Sequence, residues 1–188
     1  FNFICLHTHF LNLQLISYKN KKRLFLYYYF NLSTLLLISM MFFNKLVSTF
    51  FYVGFLPKLP GTFGTLAGAI LYFFINSVYY PTHTIMFVIT IAIIIVSVVT
   101  SHYSIEIFDS EDPLCVVIDE VAGIFVAMLF IPFSITNLVI AFFLFRLFDV
   151  WKPLFVRTLE RLPGGLGITM DDVGAGLISN LLIQIMIY

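Results

Sequence analysis

Between Leu59 and Ile105 the chain contains no Asp, Glu, Lys or Arg. Lipid cannot pair the backbone N–H and C=O groups of such a run, so only helices or closed barrels can carry it through a membrane. Barrel strands alternate polar and apolar residues, whereas this stretch is continuously apolar, and helices follow. Tyr80, Pro81 and Thr82 break the run, predicting one helix over about Leu66 to Tyr79 and another over His83 to Phe108. The second exceeds the ~20 residues that cross a bilayer; the first is shorter. With 11% charged residues in 188, against about 25% in soluble domains, the whole chain reads as all-α, a polytopic membrane helical bundle of one domain.

Charge is balanced overall but not along the chain. All ten acids lie between Glu106 and Asp172, and six of the ten bases lie at or before Lys58. The acidic half argues against a nucleic-acid partner, which would need a basic face. Cys5 and Cys115 have no metal-binding spacing, and Cys115 lies in an apolar run, as a core thiol does. Residues 1–40 form an N-terminal extension with the basic cluster Lys19, Lys21, Lys22 and Arg23, and Met40 and Met41 precede the organised region 41–188. The extension reads as poorly ordered or as a peripheral helix, with a true span over Leu24 to Phe43 as the rival. Phe42 to Val53 is expected to be a short interfacial helix.

Four later stretches put polar residues where apolar sequence makes them costly. In GFLPKLPGTFGT, Gly54 to Thr65, two prolines and three glycines predict a loop. Thr65 is placed to cap a helix starting at Leu66, whose free N–H groups favour an anion, with Lys58 adding charge. In Phe108 to Ile131, Asp112 and Pro113 have the form of an N-cap with proline at the first helical position. Asp119 and Glu120 then interrupt an apolar run, where an ionised carboxylate costs about 2.5–3.5 kcal/mol even on the lenient insertion scale. Arg146, Asp149 and Lys152 step by three residues, roughly 300° each, so they share one side of a helix that Ser134 or Thr136 can cap. Pro153 restarts that helix and can turn Lys152 inward, and Arg157, Glu160 and Arg161 read as its solvated end. After Gly164, Gly165 and Gly167, the pair Asp171 and Asp172 opens the last helix, and Thr169 can cap it.

Five carboxylates, Asp119, Glu120, Asp149, Asp171 and Asp172, brought together without a cation would repel one another and take up protons. A hard divalent ion relieves this, and an oxygen-only donor set points to Mg²⁺ rather than Zn²⁺. Arg146, Lys152 and Lys58 suit a phosphate, the arginine through a bidentate fork. The chemistry expected is metal-assisted hydrolysis of a phosphomonoester, with a carboxylate or the metal activating water.

GFLPKLPGTFGT, DPLCVVIDEVAG, FRLFDVWKP and GGLGITMDDVGAG, in this order, resemble the phosphatidylglycerophosphatase A family from about Met41 to the C-terminus. The resemblance implies an Mg²⁺-dependent lipid phosphatase that converts phosphatidylglycerophosphate to phosphatidylglycerol and phosphate. It implies a central helix surrounded by about five others, in the bacterial cytoplasmic membrane, with the site at the cytoplasmic face. The family's motif positions fall on Asp119, Glu120, Asp149, Lys152, Asp171 and Asp172, with Lys58, Thr62, Gly64 and Thr65 in the loop motif. Signatures of cysteine phosphatases, phosphoaspartate enzymes, phosphatidic acid phosphatases and alcohol phosphatidyltransferases are absent from the sequence. Two rivals are an ion or proton transporter using the intramembrane acids, which lacks the duplicated half many transporters carry, and a phosphatase of another phosphorylated lipid.

Overall fold

The computed structural model describes residues 21–187, with side chains from residue 34. In chain order the elements are α1 (Lys21–Ser48), a 3₁₀ turn (Val53–Phe55), α2 (Pro60–Tyr79), α3 (His83–Phe108), α4 (Ile118–Ala127), α5 (Ile135–Trp151), α6 (Leu154–Glu160) and α7 (Gly165–Ile187). Among the described residues there is no strand, and the protein is a membrane helical bundle. The chain divides into two packing units, Phe1–Phe42 and Phe43–Tyr188, with α1 crossing the boundary. Residues 1–20, half of the expected N-terminal extension, lie outside the described residues. All the charged motifs downstream of that extension belong to the second unit.

The centre of the second unit is α4. Every residue in it is buried except the half-buried Glu120, and it packs against α2, α3, α5 and α7. Ten residues at a 1.5 Å rise make about 15 Å, half of the ~30 Å hydrocarbon core, so protein must satisfy its ends. Asn180 of α7 does so at the C-terminal end, donating through Nδ2 to the carbonyls of Ala127 (3.0 Å) and Leu129 (2.8 Å). Before its N-terminal end, the Val117 N–H donates to Ser48 O (2.9 Å). Around this core α2, α3 and α7 are each long and apolar enough to span a membrane. Ser97 on α3 and Thr169 on α7 share a buried hydrogen bond of 2.8 Å.

Glycines set how closely these helices approach. Gly61, Gly64 and Gly68 follow i, i+3, i+7 spacing and form one face of α2. A Cβ on Gly64 would sit 2.6 Å from Val117 Cβ, and one on Gly68 would sit 2.8 Å from Ile124 Cγ2. α4 and α7 meet at Gly123 and Gly176, where a Cβ on Gly176 would lie 2.5 Å from the Gly123 carbonyl oxygen. Small residues allow backbones this close, and in lipid such packing is what drives helices together.

Several expected boundaries move. α3 starts and ends where the sequence places it, Ser134 caps α5 by accepting from Asn137 N–H (3.0 Å), and Pro153 follows the end of α5. α2, however, begins at Pro60, so Thr65 is inside the helix rather than capping it; proline suits the first helical position because its missing N–H is not needed there. Asp112 and Pro113 start no helix, since α4 begins at Ile118 and Asp119 and Glu120 stand in its first turn. α7 begins at Gly165, not Asp171, and Thr169 faces Ser97 instead of capping. The interfacial helix expected over Phe42 to Val53 is replaced by the end of α1 and a turn in which Phe50, Phe51 and Tyr52 all have positive φ. Gly61 and Gly64 in α2 and Gly165 and Gly167 in α7, all expected to form loops, are helix residues, packed against neighbouring side chains in α2 and against backbone in α7.

Candidate active site

The helix ends carrying the charged motifs converge on one cavity of about 920 Å³, within the ~300–1,000 Å³ typical of ligand sites. Its wall includes all five predicted carboxylates, together with Lys58, Arg146 and Lys152.

The floor is set by the α4–α7 crossing. Asp119 is four residues before Gly123 and Asp172 four before Gly176, so each carboxylate lies one turn from the glycine at the contact. One oxygen from each of Asp119, Glu120 and Asp172 falls within 4.8 Å of the others. Asp119 Oδ1 accepts the Glu120 N–H (3.0 Å), while Glu120 Oε2 is buried without a hydrogen-bond partner. Among the described residues no ion pair reaches any of these three acids. Such a group is costly as it stands. Three convergent carboxylates, one with an unused oxygen, fit a hard cation that takes oxygen ligands.

The adjoining wall is balanced. Arg146 Nη1 donates to Asp149 Oδ2 one helical turn along α5. Lys152, in the left-handed region at φ 45°, ends α5, and its Nζ donates to Asp171 Oδ2 (2.8 Å) and Glu160 Oε1 (3.0 Å). Burial opposes its charge, yet the Asp171 and Glu160 carboxylates outweigh that and hold its pKa above the ordinary lysine value. On the rim, the exposed Asp112 has its pKa raised, first by partial loss of solvation at the cavity edge, with Lys152 pulling the other way and Glu160 and Asp149 adding repulsion.

The α2 motif contributes differently from its sequence reading. Lys58 lines the cavity at a positive φ of 78°. Thr62, Gly64 and Thr65 do not line it: Gly64 packs against Val117, and Thr65 Oγ1 donates back to Gly61 O (2.9 Å). Gly61 does line the cavity, because a Cβ there would run into Glu120 Oε1 and lie 3.1 Å from Arg146 Nη1. Sequence reasoning misses Gly61, although its helical spacing to Gly64 and Gly68 is readable. It also misses Glu160, whose partner is eight residues back across the proline. His102 and Asp112 line the cavity from α3 and the following loop without a signal that marks them.

Acids and bases gathered in one polar cavity of a membrane helical bundle define a membrane-embedded enzyme. The family described as phosphatidylglycerophosphatase A matches residues 46–187, and the chain belongs to that family, a phosphatase family. A Bacteroides thetaiotaomicron protein provisionally named a phosphatidylinositol-3-phosphatase is 35% identical over 150 residues, covering 77% of this chain and 93% of that protein. The phosphatidylglycerophosphatase A of Escherichia coli is 30% identical over 136 residues (71% and 77%). That of Haemophilus influenzae is 32% identical over 134 residues (70% and 81%). No solved structure matches the chain.

Proposed function

We propose that this protein hydrolyses phosphatidylglycerophosphate to phosphatidylglycerol and phosphate, using Mg²⁺, at the cytoplasmic face of a bacterial cytoplasmic membrane. The observation that carries the reading is the meeting of three unpaired carboxylates with a wall that presents Arg146 and Lys152. Asp119, Glu120 and Asp172 would hold the ion, with Asp149 and Asp171 beside them in the same cavity. Bound there, Mg²⁺ supplies neutralisation of phosphoryl charge and acidification of water. Arg146, oriented by Asp149, takes two phosphate oxygens through its planar fork, and Lys152, anchored by Asp171, takes a third. A floor carboxylate accepts the proton of the attacking water; the new P–O bond forms as the ester P–O bond breaks, and the departing glycerol oxygen takes that proton from the carboxylate. Lys58, in the mouth, adds charge that attracts an anionic headgroup.

The Bacteroides relative's name motivates a second substrate, phosphatidylinositol 3-phosphate. Purified protein in detergent should release phosphate from phosphatidylglycerophosphate with Mg²⁺, stop on chelation, and recover when Mg²⁺ is returned. Faster release from the inositol lipid would replace the headgroup assignment. Ion flux in liposomes without hydrolysis would replace the enzyme reading with transport.

A further inference from the structure

A second cavity, of about 270 Å³ and lined only by apolar side chains, lies between α2 and α5. On α2 it is formed by Leu66, Ala69, Ile70 and Phe73, whose i, i+3, i+4, i+7 spacing makes one stripe. On α5, Val139, Phe142 and Phe143 line it, and Arg146 completes the same spacing, so the apolar stripe ends one turn on at the arginine of the polar cavity. Ala69 and Leu138 are buried, while Ile70, Val139 and Phe143 are exposed, which makes the cavity a groove open on one side. At the polar end α2 and α5 meet again, where a Cβ on Gly61 would lie 3.1 Å from Arg146 Nη1. We propose that this groove holds an acyl chain of the lipid whose terminal phosphate is bound at Arg146.

This rests on the phosphatase reading and adds how the substrate's tail is held. At ~1.5 Å per residue the groove runs from about 4.5 to 12 Å below Arg146 along α5, and from about 7.5 to 18 Å below Gly61 along α2. About eleven bonds separate the terminal phosphorus of phosphatidylglycerophosphate from an acyl carbonyl, roughly 13 Å when extended and less when bent. A chain therefore reaches the groove while the phosphate is at Arg146. Entry brings no hydrophobic gain, because lipid tails are as apolar as the groove; it brings closer van der Waals contact. Phosphodiester lipids have tails too, but they lack the terminal phosphomonoester, with its charge of about −1.5 to −2, that fastens the substrate's other end. Once the phosphate is held, entry of the chain is intramolecular, and the two contacts support each other.

The probe is a methylene-phosphonate analogue of phosphatidylglycerophosphate, which resists hydrolysis, carrying a diazirine in one acyl chain. Photolysed with the protein in mixed micelles containing Mg²⁺, it should label residues 66–73 or 138–143, and excess unlabelled phosphonate should reduce the label at least threefold more than the same amount of phosphatidylcholine. Equal displacement by both lipids would mean that bulk lipid fills the groove, and label falling elsewhere would mean that it is closed, for example by a second copy of the chain; either overturns the proposal. Ala69→Phe, which fills the groove from its base, should lower kcat/KM for the diacyl substrate about three- to tenfold, mainly through KM, because only contact energy is lost. The deacylated headgroup, assayed as substrate or as competitor, should keep its wild-type value within about twofold. A ratio between the two that moves by less than threefold overturns the proposal, including when both fall together, since damage to the polar cavity weakens both. Should Ala69→Phe not fold, Val139→Trp, on the exposed edge, is held to the same threshold. Wild-type protein that takes the label in the groove but releases no phosphate from phosphatidylglycerophosphate would sink the phosphatase reading and leave the acyl groove standing.

Discussion

The two sides of the cavity are built on opposite principles. On the floor, Asp119, Glu120 and Asp172 converge near a glycine contact between two helices, with no ion pair to any of them among the described residues. On the wall, Asp149 and Asp171 each have a base beside them, and Lys152 hangs from the break between α5 and α6. The floor acids are buried or half-buried and have no ion pair among the described residues; the wall acids are each paired with a base. Under the proposed function the first side would hold the metal and the second the phosphate, and variants on the two sides test that division.

The strongest test of that division is Asp172→Asn against Lys152→Met. Loss of a floor carboxylate should lower kcat by about 100-fold or more and raise the Mg²⁺ concentration needed for half-maximal rate, since several kcal/mol of charge stabilisation depend on the ion. Lys152→Met should act mainly on KM, with the Mg²⁺ requirement changed by less than about threefold. Equal shifts in the Mg²⁺ requirement would abolish the distinction. Gly176→Ala comes next, because its methyl group would press on the Gly123 carbonyl and part the helices that carry the floor. Overpacking of this kind costs about 1–3 kcal/mol, seen as a lower Tm in detergent, and the metal requirement should rise with it. A drop in Tm with unchanged metal response would show that the crossing does not position the acids.

The smallest effect belongs to the rim. Asp112 has its pKa raised in the folded protein, so its ionisation opposes folding; the penalty is absent below the usual carboxyl range and is fully present once pH exceeds the raised value. Asp112→Asn should therefore raise Tm at pH 7, by less than about 2 °C, and leave it unchanged near pH 3. A stabilisation that persists at low pH would mean the aspartate is unfavourable for a reason other than its charge.

Much of the wall is legible in the sequence because it is local: Arg146 and Asp149 are one turn apart, and Pro153 announces the break that frees Lys152. The floor's acids stand out by their cost in apolar sequence, but their meeting depends on Gly123 and Gly176, fifty-three residues apart, and no local pattern pairs them. Glycine is where sequence and structure part most. Before Leu66 and before Asp171 it reads as a turn former, yet Gly61, Gly64, Gly165 and Gly167 are helical, and what they accommodate is a neighbouring side chain or backbone. The family's loop motif illustrates this: Gly64 packs against Val117 and Thr65 bonds back to Gly61 within α2, while Lys58 and Gly61 meet the cavity. Glu160 shows the other limit, a surface residue by sequence that finds Lys152 only because the chain turns at Pro153.

The half-length α4 also bears on biogenesis. At about 15 Å it cannot be released sideways from a translocon as a span of its own, and the side chain that closes its inner end, Asn180, is synthesised more than fifty residues later. The acidic floor is therefore completed only once α7, which carries Asp172, has joined α4 among α2, α3 and α5.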